Sequence, residues 1–252
     1  YYLNEGTLVP HSEETKNLFS TNQINVTVDP EARCERWIQF VNEIFEMEYD
    51  QEDKIKLLQE FLGYCLTHMV SYQKALILLG TGSNGKSIIL QVMEQILGED
   101  NYASIELNQL KNKTYIVELQ NKLVNFCSEI DHKGSFSSGI FKRIVTGETQ
   151  SGDAKFKDPI KFQPYCKLLF ATNDLPQTID TSKGFFRRII ILRFNRSFEG
   201  KNCDPDLLQK LQSETSGIFN WLLAGLDRLM QNQSFTIPAS SEEEIYNYLE
   251  GC

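Results

Sequence analysis

An apolar run, "ALILL" (residues 75–79), leads into "GTGSNGKS" (80–87) and then into "IILQVMEQILG" (88–98). That succession limits the fold more than any other feature of the chain. Glycines at 80, 82 and 85 offer a packed core no side chain to bury. They do let a backbone turn its N–H groups inward around an anion. The run before them reads as a buried strand, and the run after them as a helix stopped by Gly98. Gly80, Thr81, Gly82, Ser83, Asn84, Gly85, Lys86 and Ser87 fit the spacing G-x-x-x-x-G-K-[ST] in the strand-to-helix setting it requires. The expectation is a nucleotide site built around ATP. Lys86 should reach the β- and γ-phosphates, Ser87 should ligate Mg²⁺, and the following helix adds its positive end.

The remaining patterns organise the chain around that loop. Residues 1–30 read as extended and turn-rich. Helical spacing puts Trp37, Phe40, Val41, Ile44 and Phe45 on one face, and Ile55, Leu58, Phe61, Leu62, Cys65 and Met69 on another. "NKLVNFCSEID", "YCKLLFATN" and "RRIIILRF" are further apolar runs. Strands alternating with helices read as an α/β sheet, with ligands at the carboxyl ends of its strands. "DPDLLQKLQ", with Asp204 as cap and Pro205 at the first position, and "SGIFNWLLAGLDRLM" read as C-terminal helices. The expected division is an N-terminal extended and helical segment (1–71), an ATPase core (72–200) and a C-terminal helical segment (201–252).

Composition sets bounds. A chain of 252 residues, 41% of them hydrophobic, can bury a core. A net charge of −9 argues against coating nucleic acid with the whole surface, but it allows a local basic element. Six cysteines without a C-x-x-C pair point to neither a zinc site nor a disulfide framework. Reduced, buried thiols and a reducing cytoplasm are the expected setting. No apolar run approaches the roughly 18 residues that cross a bilayer. An opening without Met reads as a piece of a longer protein.

Hydrolysis needs a carboxylate near Mg²⁺ and water. Glu129 follows the apolar strand "KLVNFC", with Asp131 two residues on, so alternation puts both on one side. The competing reading is a strand-end acid facing solvent. Asn173, at the tip of "KLLFAT", could orient the attacking water, or it could simply make a turn before "DLP". Arg187 and Arg188 precede a buried strand. They read either as surface partners for acids or as an arginine finger for a neighbouring subunit's nucleotide.

"TGETQSGDAKFKDPIKFQPYCK" is locally basic in an acidic chain. Two short alternating runs around Asp158-Pro159 read as a β-hairpin whose tip carries Lys155, Lys157 and Lys161, with Phe156, Phe162 and Lys167 nearby. It is either an edge hairpin protected by lysines or a finger that grips a nucleic-acid backbone without reading sequence.

In order, "GTGSNGKS", "VNFCSEID", "KRIVTGE…AKFKDPIKF", "KLLFATNDLP" and "KGFFRRIIILRF" resemble the superfamily 3 helicases, closest to the primase-helicases of phages, plasmids and poxviruses. The resemblance implies an AAA+-like P-loop NTPase core, a hexameric ring and translocation along DNA. It assigns residues 80–87 to the nucleotide and Glu129 to the acid of the second motif. It assigns Asn173 to the sensor, Arg187 or Arg188 to the finger, and Lys155 and Lys157 to the central-channel hairpin. Some members carry two adjacent acids in the second motif. Here Ser128 precedes Glu129, which leaves Glu129 to serve both metal and water, or Asp131 to help. The family partners would be single-stranded and forked DNA and other replication proteins, a primase among them, although no primase segment is visible. Six hairpins in one pore would concentrate positive charge while the outer faces stay acidic, since charges further apart than about 8 Å are screened. The rivals are an ATP-switched DNA-binding or origin-loading module without unwinding, and a small-molecule kinase.

Overall fold

A computed structural model describes residues 2–4, 7–9, 22–127, 137–153, 158–176, 180–198, 200 and 204–251. Strands β1 (Tyr2–Asn4) and β2 (Thr7–Val9) pair antiparallel. Helix α1 (Glu35–Ile44) buries Trp37, Phe40, Val41 and Ile44, the face its spacing predicts. Helix α2 (Gln51–Tyr64) buries Leu57, Leu58, Phe61 and Leu62, and with them Lys54, Gln59 and Glu60. Then follow β3 (Ala75–Leu79), α3 (Lys86–Leu97), β4 (Tyr102–Ala103), α4 (Lys113–Ile116), β5 (Val124–Cys127) and α5 (Ser138–Val145). The chain continues through β6 (Gln150–Gly152), β7 (Ile160–Phe162), β8 (Lys167–Thr172), α6 (Lys183–Phe186) and β9 (Ile189–Arg193). It ends in α7 (Leu207–Ser213), α8 (Thr215–Asn232) and α9 (Ala239–Glu250). Among the described residues no helix is long and apolar enough to cross a membrane.

Strands β4-β5-β8-β3-β9 form one sheet in that order, and its pairings are all parallel. Parallel sheets need cover on both faces, and alternation along the strands supplies it. Leu76 and Leu78 of β3 join Leu169, Ala171, Ile190 and Leu192 in a cluster with α1, α2, α3 and α8. Ala75, Ile77 and Leu79 join Leu168, Phe170, Ile189 and Ile191 in a second cluster, with Phe141 of α5, Phe185 of α6 and Tyr248 of α9. Each fully buried Leu, Ile or Phe of this kind contributes about 1.5–3 kcal/mol. Strand β3 lies between β8 and β9. The chain leaves β3 past β8 and β5 to the far edge at β4, and later crosses β3 to reach β9. That reversal at the end of β3 is where an open α/β sheet leaves a crevice.

The N- and C-terminal helices pack together over the first face. A Cβ on Gly63 would overlap the Leu222 carbonyl, and one on Gly225 would overlap the Gln59 carbonyl, so α2 and α8 touch backbone to backbone. Glu60, with no exposure, accepts from Arg228 Nε (2.6 Å), Thr236 N (2.7 Å) and Thr236 Oγ1 (2.8 Å). A buried carboxylate is tolerated when its lone pairs are met in this way. Cys34, Cys65 and Cys166 are buried free thiols, and Cys127 is buried too.

Two sequence expectations change. Helix α7 begins at Leu207 with Asp206 as its N-cap residue, two residues beyond the position expected for Asp204. Asp204 instead accepts from Asp206 N and holds Lys210 Nζ at 2.8 and 2.9 Å, making a turn ahead of the helix. Lys167, grouped with the basic hairpin, is buried where β8 begins. Its ammonium donates to the carbonyls of Thr67 and Tyr165 and lies 4.7 Å from the Tyr64 ring centroid. Burial pushes its pKa down to about 7. The unfolded chain therefore binds a proton here that the folded chain lacks between about pH 7 and the ordinary lysine range. Stability should rise with pH across that interval, by up to about 1.4 kcal/mol per unit, and level off below pH 7. Burial raises the Cys65 and Cys166 thiols to about 12, so their opposing effect begins only near the ordinary thiol value. Urea unfolding between pH 7 and 8.5 should show the rise, and Lys167→Met should flatten it. An unchanged slope in that variant would contradict the assignment.

Candidate functional site

Residues 80–87 leave the sheet at the reversal. Gly80 N donates to Thr172 O (3.1 Å), and Phe194 N donates to Leu79 O (2.7 Å), so the root of the loop is bonded on both sides. Gly80 has no room for a Cβ, which would overlap the Phe194 carbonyl and the Asn84 amide. Gly85 has φ +88°, and a Cβ there would also lie 2.9 Å from the Phe40 ring of α1. Glycine is required at Gly85 on both counts. Helix α1 thus forms the floor beneath the turn into α3. Ser83 also lies in the left-handed region, at φ 60°.

The crest of the loop, Thr81 to Ser83, is exposed, whereas Asn84 and Lys86 are buried. Lys86 Nζ donates to Gly80 O (2.5 Å), Asn84 Oδ1 (2.9 Å) and Thr81 O (3.4 Å). Asn84 donates in turn to Thr81 O. Among the described residues no carboxylate lies within ion-pair distance of Lys86. Burial lowers its pKa from the ordinary lysine value. Ser87 is exposed in the first turn of α3. A cation with no carboxylate beside it among the described residues, at the positive end of a 12-residue helix, is a place suited to an anion.

Asn173 is exposed directly after Thr172, the register partner of Leu79. Thr172 Oγ1 bonds the backbone of Asp174 on both its N–H and C=O, which shapes the bend. Tyr248 donates to the Pro176 carbonyl and ties the bend to α9. On the other side, Phe198 N donates to Ser83 O at 2.7 Å, so residues 194–198 brace the loop. Arg193 pairs with Glu244 of α9 through two bonds. These braces escaped the sequence reading. The one available signal was that "RFNRSF" follows a strand neighbouring the loop, and strand order is not written in a sequence.

Glu129 and Asp131 lie outside the described residues, as do Lys155, Phe156 and Lys157. A hairpin is present, with Gln150↔Phe162, Ser151↔Lys161 and Gly152↔Ile160 in register. Strand β6 ends at Gly152, well before Asp158-Pro159, whereas β7 begins directly after it, so that dipeptide sits at the foot of β7 rather than midway between the strands. Lys161 is exposed on β7, whereas Phe162 is buried. Arg187 and Arg188 are not near the loop of their own chain. Arg188 O accepts from Ala75 N, at the amino end of β3, so the whole of that strand separates them from Gly80, roughly 16 Å. Lys74 Nζ holds the Arg187 carbonyl at 2.7 Å. The Arg188 guanidinium is turned back onto Gly184 O of α6.

The fold and the loop define a mixed α/β protein with a parallel central sheet and an anion-suited turn at its switch point. A sequence model described as a family of unknown function (DUF5906) matches residues 78–188, from the end of β3 to the arginine pair. A protein of Acanthamoeba polyphaga mimivirus named "Putative helicase" is 29% identical over 145 residues, which cover 54% of this chain and 15% of that protein. Two apo structures of the NrS-1 C-terminal region share the fold at 18% identity. One has a TM-score of 0.66 over 90% of this chain, the other 0.67 over 88%. The chain spans about half the length of those structures, 53% of each. It therefore has a helicase-named relative in sequence and shares the fold of about half of the NrS-1 C-terminal region.

Proposed function

We propose that this chain is the AAA+-like P-loop ATPase core of a replicative DNA helicase of the superfamily 3 type, working as a hexameric ring. The observation that carries the reading is the Lys86 ammonium, buried among loop oxygens at the switch point with Asn173 on the adjoining strand end. A triphosphate would give that ammonium anionic oxygens in place of neutral carbonyls, a stronger bond. The exposed Ser87 hydroxyl at the start of α3 suits a Mg²⁺ ligand, with Glu129 and Asp131 as the acids. Mg²⁺ would neutralise the phosphate oxygens.

In this mechanism Glu129 polarises the attacking water and Asn173 holds it. The finger comes from the neighbouring copy, because Arg187 and Arg188 lie at the opposite end of the sheet from their own loop. Of the two, Arg187 is the finger. Its side chain is exposed, and among the described residues nothing bonds its guanidinium, whereas Arg188 is committed to α6. The hairpin lysines Lys155, Lys157 and Lys161 grip the DNA backbone, and loss of γ-phosphate moves them.

The test is strand displacement on a forked duplex with ATP and Mg²⁺. Displacement that requires ATP is expected. DNA binding and ATP turnover without displacement would favour the origin-loading switch instead. Turnover that needs a small phosphoryl acceptor rather than DNA would favour a kinase.

A further inference from the structure

We propose that Arg196 and Phe198 form the platform on which the base of the bound nucleotide stacks. The inference rests on the phosphate-loop reading and extends it to the other end of the ligand. Strand β3 is flanked by β8 on one side and β9 on the other. Asn173 follows β8, so the reacting phosphate belongs on that side. The ends of β8 and β9 are about 9–10 Å apart, two strand spacings. A nucleotide whose γ-phosphate meets Asn173 therefore sends its base toward the side of β9.

What waits on that side is flat and cationic. After β9 the chain stays against the loop through Phe198 N to Ser83 O, at 2.7 Å. The Phe198 ring is partly buried against the first apolar cluster. The Arg196 guanidinium lies 5.2 Å from that ring's centroid. Its Nη1 donates to the Glu43 carbonyl of α1 at 3.0 Å and to the Glu46 carboxylate. The plane is thus fixed by α1 and the ring, while 33% of the side chain faces solvent. An ion pair with a carboxylate as exposed as Glu46, at 53%, adds little stability of its own. A guanidinium plane held on an aromatic ring is well suited to stack on a heterocycle.

The test compares binding of ATP and of inorganic tripolyphosphate, each with Mg²⁺, by titration calorimetry on the wild-type chain, Arg196→Ala and Arg196→Lys, with thermal unfolding alongside. Lysine keeps the charge and the pair with Glu46 but has no plane to stack. Both variants should bind ATP about tenfold or more weakly, in line with the usual size of base stacking. Both should bind tripolyphosphate as the wild type does and unfold at the same temperature. Unchanged ATP affinity, an equal loss for both probes, or full rescue by lysine would overturn the platform. If the wild-type chain binds neither probe, the phosphate-loop reading falls and takes the platform with it.

Discussion

Replacing Lys86 with Ala is expected to cut ATP turnover by about 10²-fold or more, the scale on which a single preorganised donor to developing charge acts. The loss should not come from unfolding. Lys86 is a cation at the positive end of α3, where a positive charge is unfavourable, and burial already lowers its pKa. Alanine is also the better helix former. What the fold gives up is three bonds to Gly80 O, Asn84 Oδ1 and Thr81 O. The two effects oppose each other, so the melting temperature should shift by only a few degrees. Turnover in the variant at the wild-type rate, with an intact melt, would remove residues 80–87 from the chemistry.

The second large effect should fall on one arginine of an adjacent pair. Arg187→Ala is expected to lower turnover by about 10³-fold or more, as fingers that stabilise transition-state charge do. Arg188→Ala should act mainly on stability. Its guanidinium bonds the Gly184 carbonyl, and its Nε is buried without a hydrogen-bond partner. Burial and the charge of Arg187 both lower its pKa. Steady-state hydrolysis and thermal unfolding on the two variants separate these roles. Equal loss of turnover from both, with equal stability, would contradict the distinction.

Much of this was legible from residue order, and the limits have physical causes. The glycine spacing and the apolar runs on either side of it announced the strand, turn and helix, because those signals are local. The face of α1 followed from its period for the same reason. Lys167 was misread because a lysine at the mouth of an apolar run looks the same whether it points into water or under Tyr64. The buried Gln59 and Glu60 of α2 were missed because their partners, Arg228 and Thr236 among them, lie far along the chain. The brace from Phe198 to Ser83 depends on strand order, which no local pattern carries. The separation of Arg187 from Gly80 depends on it too.

That separation gives the most direct measurement. If the site is completed by a neighbouring copy, Lys86→Ala chains still donate a sound Arg187, and Arg187→Ala chains still offer a sound loop. Each alone should be inactive, and ATP turnover should reappear when the two are mixed, in proportion to the pairs that join one intact loop to one intact finger. No recovery at any mixing ratio, with both variants folded and still associating, would mean that the loop and the arginine do not share a nucleotide between subunits.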